Sequence, residues 1–274
     1  MKFTKMHGLG NDFMVIDAIN QKVNLSEKDI IRLGRRDIGV GFDQCLLVEK
    51  SGQAGIDFFY RIYNADGSEV GQCGNGARCL ARFIQAQHLS DKKRLCVATQ
   101  TTKMELQLEE NGKVSVFFVP PEFSPEHIPL EVSKQAERYR LALDNGETCW
   151  IHALSVGNPH AVIKVNNIET AEVSATGVRV SQHPAFPQQC NAGFMQILSH
   201  NEMRLRVYER GYGETRACGS GAVAAAVVGR RFYGMEPDIT VHLLGGDLQI
   251  GWQGLGHAIR MTGPAEFVYH GELV

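Results

Sequence analysis

Two cysteines carry the chemistry this chain can offer. The stretch Cys73-Gly74-Asn75-Gly76-Ala77 recurs, slightly altered, as Cys218-Gly219-Ser220-Gly221-Ala222. A helix-like run follows each copy. After the first, Ala77, Leu80, Ala81 and Ile84 share one face at helical spacing. After the second, Ala222 to Val228 is apolar on every face, which predicts a helix buried on all sides. Each cysteine therefore stands at the mouth of a helix, in a glycine-rich loop that crowds it little. Unpaired backbone N–H groups and the positive end of the helix dipole converge at such a place. It suits a carboxylate, and it is expected to lower the pKa of a thiol.

Two thiols, with no metal or cofactor motif, suit removal of an α-proton from one face of an amino acid and its return to the other. That reaction needs a base and an acid on opposite sides of one carbon, one thiolate and one thiol. Charge gathers on the carboxylate as the carbanion forms, and two helix N-termini supply preorganised donors. Polar side chains to hold the substrate are at hand in Asn11, Asn64, Asn158, Asn191 and the pair Glu209-Arg210.

The elements that must position these residues come in two similar sets. Tyr63 and Tyr208 stand equally far before Cys73 and Cys218, and Glu69 matches Glu214 in that frame. Gly10-Asn11 answers Gly157-Asn158, and Gly41-Phe42-x-Gln44 answers Gly193-Phe194-x-Gln196. The offsets are 145, 147 and 152 residues, in order, so the chain reads as an internal duplication. Two such halves packed face to face would bring both helix mouths to one cleft, a favoured place for a small ligand.

Strands are predicted at Phe3–Met6, Phe13–Asp17, Cys45–Glu49, Asp57–Asn64, Leu95–Thr99, Lys103–Leu108 and Val114–Val119. Ser26 caps a helix through Gly34, with Asp29 three residues on. The segment Pro120 to Pro125, followed by Pro129, is the best linker candidate. Beyond it, strands are predicted at Tyr139–Leu143, Thr148–Ser155, Ala161–Val165, Phe194–Leu198, Glu202–Glu209, Ile239–Leu243, Leu248–Trp252, Ile259–Thr262 and Glu266–Tyr269.

Composition bounds the function classes. The 274 residues suffice for two domains. The formal net charge of -2 gives no reason to expect a nucleic-acid partner. No apolar run approaches a membrane span, and the opening Met1–His7 lacks the apolar core of an export signal. Seven cysteines, an odd number, point to free thiols in a reducing cytoplasm. No Cys-x-x-Cys pair is present, so no metal is expected. A buried cysteine is ordinarily inert packing, and Cys45, Cys79, Cys96, Cys149 and Cys190 are read that way. Asn11 and Asn158 could equally be turn residues, and His160 a loop histidine.

At these residues the chain closely resembles the diaminopimelate epimerase family. The likeness runs through Met6-His7-Gly8-Leu9-Gly10-Asn11-Asp12-Phe13, Gly41-Phe42-Asp43-Gln44, Phe59 to Arg82, Gly157-Asn158-Pro159-His160, Asn191-Ala192-Gly193-Phe194, and Val207 to Ala222. The cysteine motif alone would also suit the proline racemases, and a non-catalytic amino-acid-binding protein is the alternative of another class. The resemblance implies cofactor-independent interconversion of LL- and meso-diaminopimelate, in lysine and peptidoglycan precursor synthesis. It implies an α/β (α+β) fold of two pseudo-symmetric domains, each a curved sheet or barrel around a central helix. The halves would be residues 1–118 with 264–274, and 119–263. By the same resemblance Cys73 and Cys218 are the catalytic pair, with His160 and Glu209 in support. Substrate contacts fall on Asn11, Gln44, Asn64, Gly74, Asn75, Asn158, Asn191, Glu209, Arg210, Gly219 and Ser220. A homodimer is implied, with Tyr269 at its interface. Arg216 and Ala161 depart from the family's common residues without touching a transferred role.

Overall fold

The computed structural model describes residues 1–274. It divides into two compact units, Met1–Phe117 with Thr262–Val274, and Phe118–Met261. No helix is long and apolar enough to cross a membrane.

The first unit starts with strands β1 (Lys2–Gly8) and β2 (Asn11–Asp17), a hairpin closed by Leu9 and Gly10. Both loop residues have positive φ, 57° and 85°, the geometry of a tight hairpin turn whose twist matches that of its strands. Helix α1 (Glu27–Gly34) follows, and Ser26 with Asp29 forms the expected capping box. Then come β3 (Gln44–Lys50), β4 (Phe58–Asn64), the short β5 (Glu69–Val70) and α2 (Gly74–Ala86). Strands β6 (Arg94–Ala98), β7 (Lys103–Leu108) and β8 (Val114–Phe118) lead out of the unit.

The second unit repeats this order. After β9 (Tyr139–Ala142) come β10 (Thr148–Ser155), β11 (Pro159–Lys164), α3 (Val173–Ser181), β12 (Asn191–Ile197), β13 (Glu202–Glu209), β14 (Gly213–Thr215) and α4 (Gly219–Tyr233). Strands β15 (Asp238–Leu243), β16 (Gly246–Trp252), β17 (Ile259–Gly263) and β18 (Glu266–Glu272) finish the chain, β18 lying antiparallel to β1.

The pairing confirms the repeat strand by strand. β2 runs parallel to β3, with Phe13 opposite Gln44, as β11 runs parallel to β12, with His160 opposite Asn191. β4 pairs antiparallel with β5 and parallel with β6; β13 does the same with β14 and β15. The matched glutamates have a structural use. Arg61 grips Glu69 in a two-point fork (3.0 and 2.7 Å), and Arg206 grips Glu214 likewise (2.6 and 2.9 Å). Each fork fixes the turn that delivers the chain to its cysteine.

In each unit the sheet curves around the helix that follows the cysteine. α4 touches β10, β11, β12, β13, β15 and β16. Six strands at about 4.8 Å spacing span more than a helix's width, so only a curved sheet can bring all of them to one helix. Ala222 to Gly229 are accordingly buried on every side. α2 buries more than the expected stripe: Asn75, Arg78, Cys79 and Phe83 are enclosed as well.

The linker candidate lies directly after the boundary between the units at Phe117 and Phe118, but it is not a loose connection. Glu122 and Ser155 exchange backbone hydrogen bonds (2.9 and 2.8 Å), and Ile128 and Leu130 enter the core of the second unit. Helix α3 was not foreseen, because Glu172 at its start makes no side-chain capping bond and Gly177 interrupts it. The short strands β5 and β14 were too brief to read by alternation.

Candidate functional site

Each unit assembles its own cluster around its cysteine. In the first unit Cys73 is the N-cap of α2, in extended conformation (φ −152°, ψ 109°). Its sulfur accepts a hydrogen bond from Gly76 N–H (3.3 Å) and donates to Asn11 Oδ1 (3.7 Å). The hairpin turn places Asn11 at the first residue of β2, beside the helix mouth. Asn75 Nδ2 also donates to Asn11 Oδ1 (3.3 Å), and the enclosed Arg78 donates to Asn75 Oδ1 (2.8 Å). Gln44 and Asn64, opposite each other on β3 and β4, form a second pair: Gln44 Nε2 donates to Asn64 Oδ1 (2.9 Å). Gln44 Oε1 is buried without a partner.

In the second unit Cys218 is the N-cap of α4, and it is nearly enclosed. Its sulfur lies 3.7 Å from Ser220 Oγ, and the Glu209 carboxylate acts on the thiol electrostatically. Glu209 also accepts a short hydrogen bond from Thr215 Oγ1. Asn158 Nδ2 donates to Ser220 Oγ (3.4 Å), and His160 Nε2 to Asn158 Oδ1 (3.1 Å). Asn191 Oδ1 accepts the Arg210 backbone N–H (2.9 Å), while the exposed Arg210 guanidinium donates to Gln188 O (2.8 Å). Gly74 and Gly219 open their helices, as the spacing predicted.

The structure thus gathers Asn11, Cys73 and Asn75 in the first unit. In the second it gathers Asn158, His160, Glu209, Cys218 and Ser220. Gln44–Asn64 and Asn191–Arg210 form separate pairs, each within its unit. Tyr269 lies in neither cluster: it sits half-exposed on β18, edge-on to Phe3 at 6.0 Å between ring centroids.

The electrostatics qualify the expected thiol activation. Burial first, and the Glu209 charge second, push the Cys218 thiol well above its ordinary range, against the helix end. Burial likewise raises Glu209, although hydrogen bonds from Thr215 and Cys218 pull it back. His160 is driven down to about 3 by burial and by Arg210, so it is a neutral imidazole. Of the five cysteines read as packing, Cys45, Cys79, Cys149 and Cys190 are buried, while Cys96 is half-buried. Burial pushes Cys45 up to about 12 and Cys149 up to about 11, and raises Cys79 and Cys190.

Several site neighbours escaped the sequence reading. Arg78 occupies a helix position that spacing assigns to solvent. Thr215 has no signal beyond its nearness to Cys218. Tyr60 is fully buried on β4 with an unpartnered hydroxyl, raised by burial and by nearby Cys73. The alternation of β4 marks it as inward-facing but says nothing of the thiol.

Known proteins resemble this chain along its whole length. The sequence profile described as diaminopimelate epimerase matches residues 3–123 and 152–268. A diaminopimelate epimerase of Legionella pneumophila (strain Paris) is 56% identical over 274 residues, covering 100% of this chain and 99% of the relative. One from Pseudomonas savastanoi pv. phaseolicola is 47% identical over 273 residues, with the same coverage of each. Among solved structures, a PhzF-family phenazine biosynthesis protein of Bacillus anthracis superposes with a TM-score of 0.68 at 16% identity, covering 100% of this chain and 99% of that one. A hydroxyproline epimerase from Agrobacterium vitis gives 0.68 at 14% identity, covering 99% and 91%. At such identities these two structures establish the fold alone.

Proposed function

We infer, from a chain that belongs to the diaminopimelate epimerase family, that its two helix-capping thiols carry the reaction. The protein is an isomerase that epimerises diaminopimelate, a step of lysine biosynthesis. The finer reading is cofactor-independent conversion of the LL to the meso form, also feeding peptidoglycan precursors. Cys218 takes the α-proton of the LL substrate from one face, and Cys73 returns a proton to the other; the meso substrate reverses the roles. Each compact unit is one epimerase half supplying one thiol.

The observation that carries this reading is the paired placement of Cys73 and Cys218 as N-caps at duplicated glycine-rich helix starts. The first N–H groups of α2 and α4, at Gly74, Asn75, Gly219 and Ser220, support the carboxylate where the carbanion's charge gathers. Two thiolates near one carboxylate repel, so the pair shares one proton. Glu209, whose charge already acts on the Cys218 thiol, accepts its proton, which frees the sulfur as a base. His160, neutral, acts as a positioning residue by holding Asn158 on Ser220. Asn11, Gln44, Asn64, Asn158 and Asn191 hold the substrate's polar ends, and the buried Gln44 Oε1 is an acceptor that an ammonium would satisfy. Arg210 takes the distal carboxylate in a two-point fork. Seven free cysteines fit a reducing cytoplasm, and the assembly is a homodimer with Tyr269 at its interface.

The test is run in heavy water with purified protein and LL-diaminopimelate. Early meso product is expected to carry deuterium at the inverted carbon, while recovered substrate carries almost none, since each face has its own base. Cys73→Ala and Cys218→Ala are each expected to abolish turnover. Equal early label in both pools, or an alanine variant that still epimerises well, overturns the two-thiol mechanism.

A further inference from the structure

We propose that Arg78 and Asp43 are positioning residues of the Cys73 site, fixing together which end of the Asn11 side-chain amide faces the thiol. The relevance to catalysis rests on the reading of Cys73 given above; the geometry does not.

The argument is one of donors and acceptors. Asn11 and Asn75 each carry an amide that could sit in either of two orientations. Their hydrogen bonds run in series between a group that can only donate and a group that, ionised, can only accept. Arg78 Nη2–H donates to Asn75 Oδ1 (2.8 Å). Asn75 Nδ2–H donates to Asn11 Oδ1 (3.3 Å). Asn11 Nδ2–H donates to Asp43 Oδ2 (2.9 Å). Reversing either amide would aim N–H at N–H on one side and oxygen at oxygen on the other. With a guanidinium at one end and a carboxylate at the other, only this polarity is satisfied. Cys73 Sγ–H donates to the same Asn11 Oδ1 (3.7 Å), so the relay presents the thiol with an acceptor.

Both ends are themselves fixed. Arg78 is wholly enclosed and also donates to Pro264 O (3.1 Å). Asp43 accepts from Asp12 N–H (3.1 Å) and pairs with Arg36 (2.8 Å). Arg36 in turn forks onto Asp12 (2.8 and 2.9 Å), which also takes the Lys5 ammonium. Tyr60 on β4 and Arg78 and Cys79 on α2 are among the ionisable groups in reach of the Cys73 sulfur. An acceptor aimed at a thiol favours its protonated form, and a donor favours the thiolate. The relay therefore favours the protonated form of Cys73, against the Gly76 N–H that donates to the same sulfur. The second unit differs, since there the Asn158 amide turns its N–H end toward the helix mouth, onto Ser220.

The test reads the thiol directly. Alkylation of Cys73 by iodoacetamide is followed against pH by peptide mass spectrometry in wild type, Asp43→Ala, Asp43→Leu, Asp43→Asn and Asp43→Glu. In Asp43→Ala and Asp43→Leu, which leave Asn11 Nδ2 no acceptor, the profile is expected to move to lower pH. A shift of about half a unit makes the rate below the pKa roughly threefold faster. Asp43→Glu and Asp43→Asn each keep an acceptor oxygen, the second without the charge, and both are expected to keep the wild-type profile. Each measurement is repeated at high salt, where the effect of a distant lost charge is screened and that of a direct hydrogen bond is not. Unchanged profiles in both Asp43→Ala and Asp43→Leu, a shift in Asp43→Asn as large as theirs, or a shift that high salt abolishes, overturn the proposal. If Asp43→Ala melts below the assay temperature, Asp43→Leu, close to Asp in size, decides. If the shift appears while Cys73→Ala still epimerises, the relay stands and the catalytic role of Cys73 falls.

Discussion

Cys218 sits where two effects of opposite sign meet. The N-terminus of α4 favours a thiolate by at most about 2 kcal/mol, or roughly one and a half pKa units. Burial of an ionisable group works the other way, by up to roughly 3–5 units, and Glu209 adds its charge and an acceptor on the same side. Burial therefore prevails. Glu209→Gln removes the charge but not the shape, so the Cys218 pKa is expected to fall. The check is the pH dependence of iodoacetamide labelling at Cys218, which should move to lower pH. Epimerisation by the same variant is expected to drop at least tenfold, in line with general acid–base groups elsewhere. A profile that stays put or moves to higher pH would show that Glu209 does not govern this thiol. The residues seen from sequence here were those with a motif around them, Cys218, Gly219 and Glu209. Thr215 was invisible, because a hydroxyl three residues from a cysteine is no signal until β14 folds back on β13.

At the scale of elements, the glycine-rich helix starts are shaped by close packing as much as by ligand access. A Cβ on Gly221 would lie 2.9 Å from Val207 Cγ2 and 3.3 Å from both Cys218 Cβ and Sγ. Gly221→Ala is therefore expected to cost about 1–3 kcal/mol through overpacking, read as a lower melting temperature. It is expected to lower kcat more than the loss of folded protein explains, because the strain falls on the thiol's own helix turn. Unchanged stability and activity would contradict this account. Gly76 is less confined, with Phe13 Cε1 at 3.3 Å. Gly177 teaches the reverse lesson about α3. A Cβ there would meet Tyr208 Cβ at 2.5 Å, so packing against β13 demands the glycine that weakens the helix signal. The duplication itself could have revealed α3, since α1 occupies the matching place between parallel strands in the first unit.

At the scale of the whole molecule, strand β18 bears on assembly. Tyr269 and Val268 are exposed apolar side chains on β18, whose backbone is already paired to β1. The proposed homodimer uses this strand, and Tyr269→Ala is expected to convert dimer to monomer in sedimentation. An unchanged dimer assigns Tyr269 only to its edge contact with Phe3 in its own sheet.

What the sequence determined alone is local or repeated: the helix starts at Cys73 and Cys218, the capping box of α1, the enclosed character of α4, and most strands. These follow from spacing, turn chemistry and periodicity within a few residues, and the duplication shows each of them twice. The tertiary structure decided the rest, because it depends on neighbours distant in sequence. It enclosed Arg78, which a helical face count leaves in water, since the sheet curves around α2 and Pro264 returns to accept its hydrogen bond. It kept Cys218 a thiol, because burial is a property of the packed core and not of the helix end. It set the polarity of the Asn11 amide, because Asp43 and Arg78 become its two anchors only once the β1–β2 hairpin, the loop before β3 and α2 have come together.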